Sequence, residues 1–373
     1  MGEILKIIEK LSGGRCYQSE RFSLDHFILP EYQDVNEVFS KRKIFETDNK
    51  KGQNITLNVN SSALAFSLFR YFLDGSRRTY KIVDFGTSDG KFLPIVAGQI
   101  GAAVCRREEK KLRKQIFSRE NVLAIPDRMG GEFEEIARKI KSIKIPENKS
   151  HGLYIGNVLK YKVKDKPDRP FENLAIAKIQ KTMMDMEVSL IRKMVKSNRL
   201  ETDKMLMVDG SLQFSGVEDS DTIFRHVIGV SKSFNPNVQG LLKFSKHRQI
   251  GDYLTTLRFA ERTPVYEIEV EGKRRKRKTK IGAWYLRIRP REKSERPLDG
   301  IIKIEKIATT SDERENYFST DMINNISSSL LLERNVTCYG KYPRWANHLY
   351  PIYLTEQFLK NSFVSDTFFL NIF

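Results

Sequence analysis

Cysteine is scarce and scattered in this chain. Cys16, Cys105 and Cys338 are its three cysteines in 373 residues, and no two form a C-x-x-C pair. That excludes a readable disulfide framework or zinc site and points to ordinary thiols of a reducing compartment. No apolar run is long enough to span a bilayer. The first ten residues form an amphipathic pattern carrying Glu3, Lys6, Glu9 and Lys10, without the continuous apolar core of a secretory signal. A cytoplasmic location without membrane attachment is therefore expected. Internal repeats are absent. Acid is also short: 47 Asp+Glu face 65 Lys+Arg, a net charge of +18. Such a surplus favours a polyanionic partner, usually nucleic acid, although a generally cationic surface is the plainer alternative. At 40% hydrophobic residues the chain can bury a substantial core, in one large domain or two ordinary ones.

Apolar periodicity predicts a helix over residues 2–11, stopped by Ser12-Gly13-Gly14, and another over 61–74, ended near Asp74-Gly75. A strand follows at 80–84. Residues 92–105 read as a strand or hairpin pair, with a short helix as the alternative. The charged stretch 106–143 reads as helical around Arg106–Phe117 and Gly131–Ile143. A short strand is expected at 152–158, a long helix at 171–197, and further strands at 205–209, 227–231, 265–270, 281–288 and 301–307. This mixture indicates an α/β fold with a mixed sheet flanked by helices. The division expected is an N-terminal helix and extension over residues 1–60, with partner docking as its possible use, and a main domain over 61–373.

Two of the strands end in acids. Tyr80-Lys81-Ile82-Val83 runs into Asp84-Phe85-Gly86-Thr87-Ser88. Met205-Leu206-Met207-Val208 runs into Asp209-Gly210-Ser211-Leu212. A strand-end Asp is also a common turn former or helix cap. A third acid, Glu187, lies in the long helix beside Met183, Met186, Leu190 and Ile191, on or next to the buried face. A carboxylate there is costly unless paired, hydrogen-bonded or bound to a metal, and an exposed place at the stripe's margin is its alternative. Three carboxylates from two strand ends and a helix can hold Mg²⁺ or Mn²⁺, and two such ions clamp the attacking and leaving oxygens of a phosphoryl displacement. Lys232, after the strand at 227–231, is placed to neutralise transition-state charge, or is one more surface lysine.

The first turn has a competitor. Asp84-Phe85-Gly86-Thr87-Ser88-Asp89-Gly90 resembles the glycine-rich first motif of S-adenosylmethionine methyltransferases, with Ser88 departing at the middle Gly. That fold requires a helix next, and residues 92–105 make a poor one. The order of all the elements instead resembles the NurA nuclease family. Its members have a strand running into Asp-Gly-Ser, then a helix with a Glu, then a strand ending in Asp-Gly-Ser-Leu. Asp209-Gly210-Ser211-Leu212 matches the last element letter for letter. Glu187 sits where the family's Glu is expected, and Asp84 takes the first Asp with Phe85 inserted. Val227-Ile228-Gly229-Val230-Ser231-Lys232 and Tyr350-Pro351-Ile352-Tyr353-Leu354 look like two further segments. One departure stands out: the family's Ala-His is replaced by Gln357-Phe358, with Glu356 and His348 as substitutes.

The resemblance implies a ribonuclease-H-like fold and a Mn²⁺- or Mg²⁺-dependent DNA nuclease. Asp84, Glu187 and Asp209 would be its metal ligands, with Lys232 and Tyr350 in support. It further implies a homodimer working with a HerA-type hexameric ATPase in end processing or antiviral defence. A catalytically weakened DNA-binding subunit of such a complex is the second reading, and the methyltransferase the third. DNA contact is expected from a basic hairpin at about 265–290. Its tip is Lys273, Arg274, Arg275, Lys276, Arg277, Lys278 and Lys280, seven basic residues in eight positions. Such a run stays solvated and can reach a phosphate backbone. Trp284 and Tyr285 beside it either stack on bases or pack in the core.

Overall fold

The computed structural model describes residues 2–18, 23–24, 38–58, 67–143, 153–164, 170–214, 219–237, 249–270, 279–334 and 345–373. Among these, one sheet collects β1 (Arg15–Tyr17), β2 (Val38–Ile44), β3 (Ile55–Thr56), β4 (Phe69–Gly86), β5 (Phe92–Glu108), β6 (Lys111–Pro126) and β7 (Asn157–Tyr161). It also takes in β8 (Met205–Asp209), β9 (Val227–Ser231), β10 (Glu261–Arg262), β11 (Tyr266–Val270), β12 (Thr279–Arg287) and β13 (Ile301–Ile307). The main path runs β2-β11-β12-β13-β9-β8-β4-β5-β6-β7. The β4–β8, β8–β9 and β6–β7 pairs are parallel and the others antiparallel, so the sheet is mixed. The helices that matter here are α1 (Glu3–Ser12), α2 (Phe133–Lys141), α3 (Phe171–Lys196), α4 (Thr320–Glu333), α5 (Tyr350–Asn361) and α6 (Asp366–Leu370).

The unbroken apolar run of β8 reflects helices on both faces. Leu206 and Val208 pack on Leu190, Ile191 and Met194 of α3. Met205 and Met207 turn the other way, into a cluster with Ile323 and Leu330 of α4 and Ile352 of α5. The first half of α3 covers β5 and β6 through Ile176, Ile179 and Met183 against Val96, Ile100 and Val122. At the sheet's far end, Ile4, Leu5 and Ile8 of α1 are buried with Ile136 and Ile140 of α2 and with Phe369 and Phe373. The apolar side of α1 and the aromatic tail are thus used inside the fold. Strands from the first sixty residues join the same sheet, β1 on β4 and β3 on β10.

The expected strands at 92–105, 205–209, 227–231, 265–270, 281–288 and 301–307 are present, as are the helices at 2–11, 131–143 and 171–197, within a few residues. The strand expected at 152–158 comes later, as β7 at Asn157–Tyr161, and two expectations fail. The described part of 61–74 is the start of β4, so Asp74-Gly75 lies inside a strand rather than at a helix end. Its apolar residues fit a helical stripe only because β4 is covered on both faces: Tyr71 and Leu73 face α3, and Phe72 faces α4. Arg106–Phe117 is not helical either but the closed end of the β5–β6 hairpin, turning at Glu109 with φ 55°. Trp284 and Tyr285 are core residues, with Trp284 Nε1 donating to Ser327 Oγ at 3.0 Å. Basic residues 273–278 lie outside the described residues. Lys280 is described, and its Nζ donates to the Arg314 carbonyl at 3.1 Å and pairs with Glu267 at 3.6 Å.

Candidate active site

Parallel pairing of β4 and β8 sets Leu73 opposite Val208, so the next residues, Asp74 and Asp209, come side by side. On the other side of β8, Val230 of β9 stands opposite Asp209, and Lys232 follows just past the end of that strand. Its Nζ lies 2.8 Å from Asp209 Oδ2 and 3.9 Å from Glu356 Oε2, an acid delivered by α5. From the other face α3 delivers Glu187, buried at 6% exposure. The Glu187 carboxylate packs where a side chain at position 75 would stand: a Cβ built on Gly75 would meet its Oε1 at 2.2 Å. Three carboxylates, Asp74, Asp209 and Glu356, therefore act on one lysine at the carboxyl ends of β8 and β9, with Glu187 joining them through Asp209 from the other face, at the end of parallel strands where ligands characteristically bind.

The Asp209-Gly210-Ser211-Leu212 turn is clamped from below. Ser211 Oγ donates to Glu305 Oε2 at 2.7 Å, the Leu212 N–H donates to the same oxygen at 2.9 Å, and Gln213 Nε2 donates to Oε1 at 3.1 Å. Glu305 on β13 is itself buried and paired with Lys303 at 2.9 Å. Burial alone would raise its pKa, but Lys303, Ser211 and the Leu212 N–H outweigh it and hold the carboxyl below its ordinary range. Gly210 takes φ 102°, a conformation that favours glycine. Gly229 lets the turn lie close, since a Cβ there would come within 2.7 Å of the Gly210 carbonyl oxygen.

The cluster carries more negative charge than its lysine balances. Burial, reinforced by Asp209, Glu356 and Glu187 and opposed by Lys232, lifts Asp74 well above the usual carboxylate range. Burial and Asp209 push Glu187 up to about 8. Burial tends to lower the Lys232 pKa, but Asp209, Asp74 and Glu356 outweigh it and raise it. Glu356 goes the other way: burial would raise it, yet Lys232 and Lys360, 2.6 Å away, hold it down, with a smaller contribution from His348. Asp74 Oδ2 is buried with no hydrogen-bond partner. Among the described residues no three Asp, Glu, His or Cys side chains form a ready-made metal cage. The donor set nonetheless fits a hard divalent cation: all four are carboxylates, one oxygen is orphaned, and two of the acids are raised by burial and by their neighbouring carboxylates.

The structure brings Glu187, Asp209 and Lys232 together and leaves Asp84 out. Asp84 lies ten residues further along β4, about 30 Å by strand rise. There it pairs with Lys81 at 2.9 Å, and Lys81 bridges on to Glu172 at 3.1 Å. Its place in the cluster is taken by Asp74. The Asp-Gly-Ser expected on the first strand is Asp74-Gly75-Ser76, without insertion. The Asp84-Phe85-Gly86 turn leads through Thr87–Lys91 into β5, antiparallel to β4, so the strand–turn–helix of the methyltransferase reading is absent. Tyr350 opens α5 with its side chain about half exposed. Glu356, six residues on, enters the cluster, while His348 is buried and stacked on Tyr353 at 5.3 Å. A surface pocket of about 550 Å³ lined by Glu201, Arg225, His226 and Thr309 lies at the opposite end of β8 and β9.

Fold and site together define a mixed-sheet α/β protein with a buried carboxylate cluster built on parallel strand ends. No family model matches the chain, and no curated protein matches it. Among solved structures it aligns with the NurA nuclease from Sulfolobus solfataricus at a TM-score of 0.41 and 10% identity, over 79% of this chain and 80% of that one.

Proposed function

We propose that this chain is a divalent-metal-dependent nuclease acting on DNA. The observation that carries the reading is the convergence of Asp74, Asp209 and Glu356 on Lys232, with Glu187 beside Asp209 and Asp74 and one Asp74 oxygen buried and unpartnered. The match of both Asp-Gly-Ser elements to the NurA pattern and the +18 charge of the chain support it. Asp74, Asp209, Glu187 and Glu356 would hold Mg²⁺ or Mn²⁺. Such an ion polarises a phosphodiester and lowers the pKa of bound water. Lys232, drawn off Asp209 and Glu356, would turn its ammonium to the charge that develops on phosphate. Glu305 keeps the Asp209 turn in place, so that this carboxylate needs little reorganisation. Glu187, its pKa pushed up to about 8 in the absence of metal, would give up a proton as metal binds, making affinity rise with pH.

The test is to incubate labelled single- and double-stranded DNA with Mn²⁺ or Mg²⁺ and the wild type, Asp74→Asn or Asp209→Asn, and to follow Mn²⁺ binding by calorimetry in parallel. Metal-dependent cutting and Mn²⁺ binding, both lost in the variants, are expected. DNA binding without cutting or metal uptake under every condition would reject the nuclease. It would assign the chain to guiding DNA to a partner, the role that Phe358 in the family's His position favours. The resemblance also gives the partner to add, a HerA-type hexameric ATPase, and a homodimer to look for by light scattering.

A further inference from the structure

The β5–β6 hairpin extends past the part of the sheet that β7 covers. β7 pairs with β6 only from Val122 onward, so Lys111–Glu120 has a strand neighbour on one side alone among the described residues. Residues 106–119 hold seven basic side chains and two acidic ones. Lys111, Arg113, Lys114 and Arg119 are exposed on β6. Within this basic strand stands an aromatic pair. Phe117 meets Phe358 of α5 edge to face, with ring centroids 5.7 Å apart, and Phe358 is 36% exposed.

The pairing registers tie this pair to the acids. Asp74 on β4 is opposite Ala103 on β5, and Ala103 is opposite Phe117 on β6. Directly opposed residues share a sheet face, so Asp74 and Phe117 lie on the same face two strands apart, about 10 Å. Ala103 and Phe117 both pack with Leu359 of α5, which confirms that face. Phe358 also follows Glu356 by two residues on α5. The next position of β6 on that face, Arg119, is opposite Gly101 and donates to the Ser362 carbonyl just past the end of α5. An exposed ring is thus flanked by cations on a strand that leads to the carboxylates.

We infer that Phe117 and Phe358 form a base-stacking platform for single-stranded nucleic acid, with Lys114 and Arg119 on the ring's own face tracking its phosphates, and Lys111 and Arg113 (paired with Glu108) adding charge along the edge of β6 from the other face. The ring offers a π-face to any base, and the cations supply the sequence-independent attraction. A duplex keeps its bases stacked on one another and has none to give the ring. This inference rests on the nuclease reading for its sense, since it names how substrate approaches the acids, but binding can be measured without cutting. Charges on an edge strand also guard against edge-to-edge pairing, and that role alone predicts no effect on nucleic acid.

The test is fluorescence anisotropy of a labelled oligo(dT) and of a matched duplex, with the full chain in EDTA so that no cleavage occurs. Phe358→Ala is expected to weaken oligo(dT) binding by about 5- to 150-fold and to leave duplex binding nearly unchanged. Phe358→Trp is expected to restore it, an outcome that a purely structural Phe would not give. Lys111→Glu with Lys114→Glu should weaken both ligands and flatten the salt slope for oligo(dT) by about 0.7 per lost contact. Unchanged oligo(dT) binding in Phe358→Ala, or in the double lysine variant with self-association instead, overturns the inference, provided circular dichroism shows the fold intact. Loss of cutting in Asp209→Asn with full oligo(dT) binding leaves it standing. Absence of cutting in the wild type, with binding lost in Phe358→Ala, would reject the nuclease and keep the platform.

Discussion

Replacing Glu187 by Gln should make the metal-free protein more stable, by an amount that grows as pH rises from about 5 to about 8. Glu187 is 6% exposed, with its pKa pushed from 4.5 to about 8 by burial and by Asp209. The unfolded chain loses this proton near the ordinary value and the folded chain near 8. Between the two the native state binds more protons, so stability is full below the lower value and falls as pH rises through the higher one. At about 1.4 kcal/mol per pH unit, the full penalty is about 5 kcal/mol above pH 8. Gln keeps the shape and never ionises, so it escapes that penalty. In EDTA, wild type and Glu187→Gln are expected to melt together near pH 5 and to separate progressively towards pH 9, with the variant higher by several degrees. Adding Mn²⁺ should narrow that gap at pH 8. At 100 times its dissociation constant the ion contributes about 2.7 kcal/mol to the wild type and less to a variant lacking one carboxylate. Melting curves that stay parallel from pH 5 to pH 9 would refute the reasoning, because they would mean that Glu187 is not buried against Asp209.

Asp74→Asn should abolish metal-dependent cutting, whereas Asp84→Asn, which only breaks a partly exposed pair with Lys81, should cut like wild type and lose about 1 kcal/mol of stability or less; the two rates measured side by side decide between the two turns. Gly75→Ala puts a Cβ where Glu187 Oε1 now lies and should displace that carboxylate, slowing cleavage by about 100-fold while circular dichroism stays native. Glu305→Ala removes the acceptor for Ser211, Leu212 and Gln213 and the ion-pair partner of buried Lys303, and urea unfolding should show a loss of about 3–5 kcal/mol.

Glu187, Asp209 and Lys232 were legible because each sits where an element's own pattern exposes it: a helical stripe, or the end of a β-run. Glu356 was legible only as one of two substitutes for the family's His, since a Glu in a polar part of an amphipathic helix gives no sign of facing inward, and the packing of α5 on β4 chooses it over His348. The β5–β6 hairpin was hidden for another reason. Its charged end has one strand neighbour, so no alternation of buried and exposed residues marks it, and charge runs look helical by propensity.

Asp74 was missed although its letters were plain. Asp74-Gly75-Ser76 and Asp209-Gly210-Ser211 are the same string, but the two glycines do different things. Gly210 takes φ 102° to turn the chain after β8. Gly75 stays extended within β4 and is small because the Glu187 carboxylate fills its side-chain space. By turn chemistry only the second is a strand end, and Asp84, two residues before β4 ends, resembles its partner more than Asp74 does. A strand that continues past its acid can carry one only if neighbouring strands stop beside it, and β8 does so at Asp209. The cluster therefore arises from unequal strand lengths. β4 runs on through the site, β8 and β9 end at it, and α3 and α5 close it from opposite faces of the sheet, which is why no single segment of the sequence displays it whole.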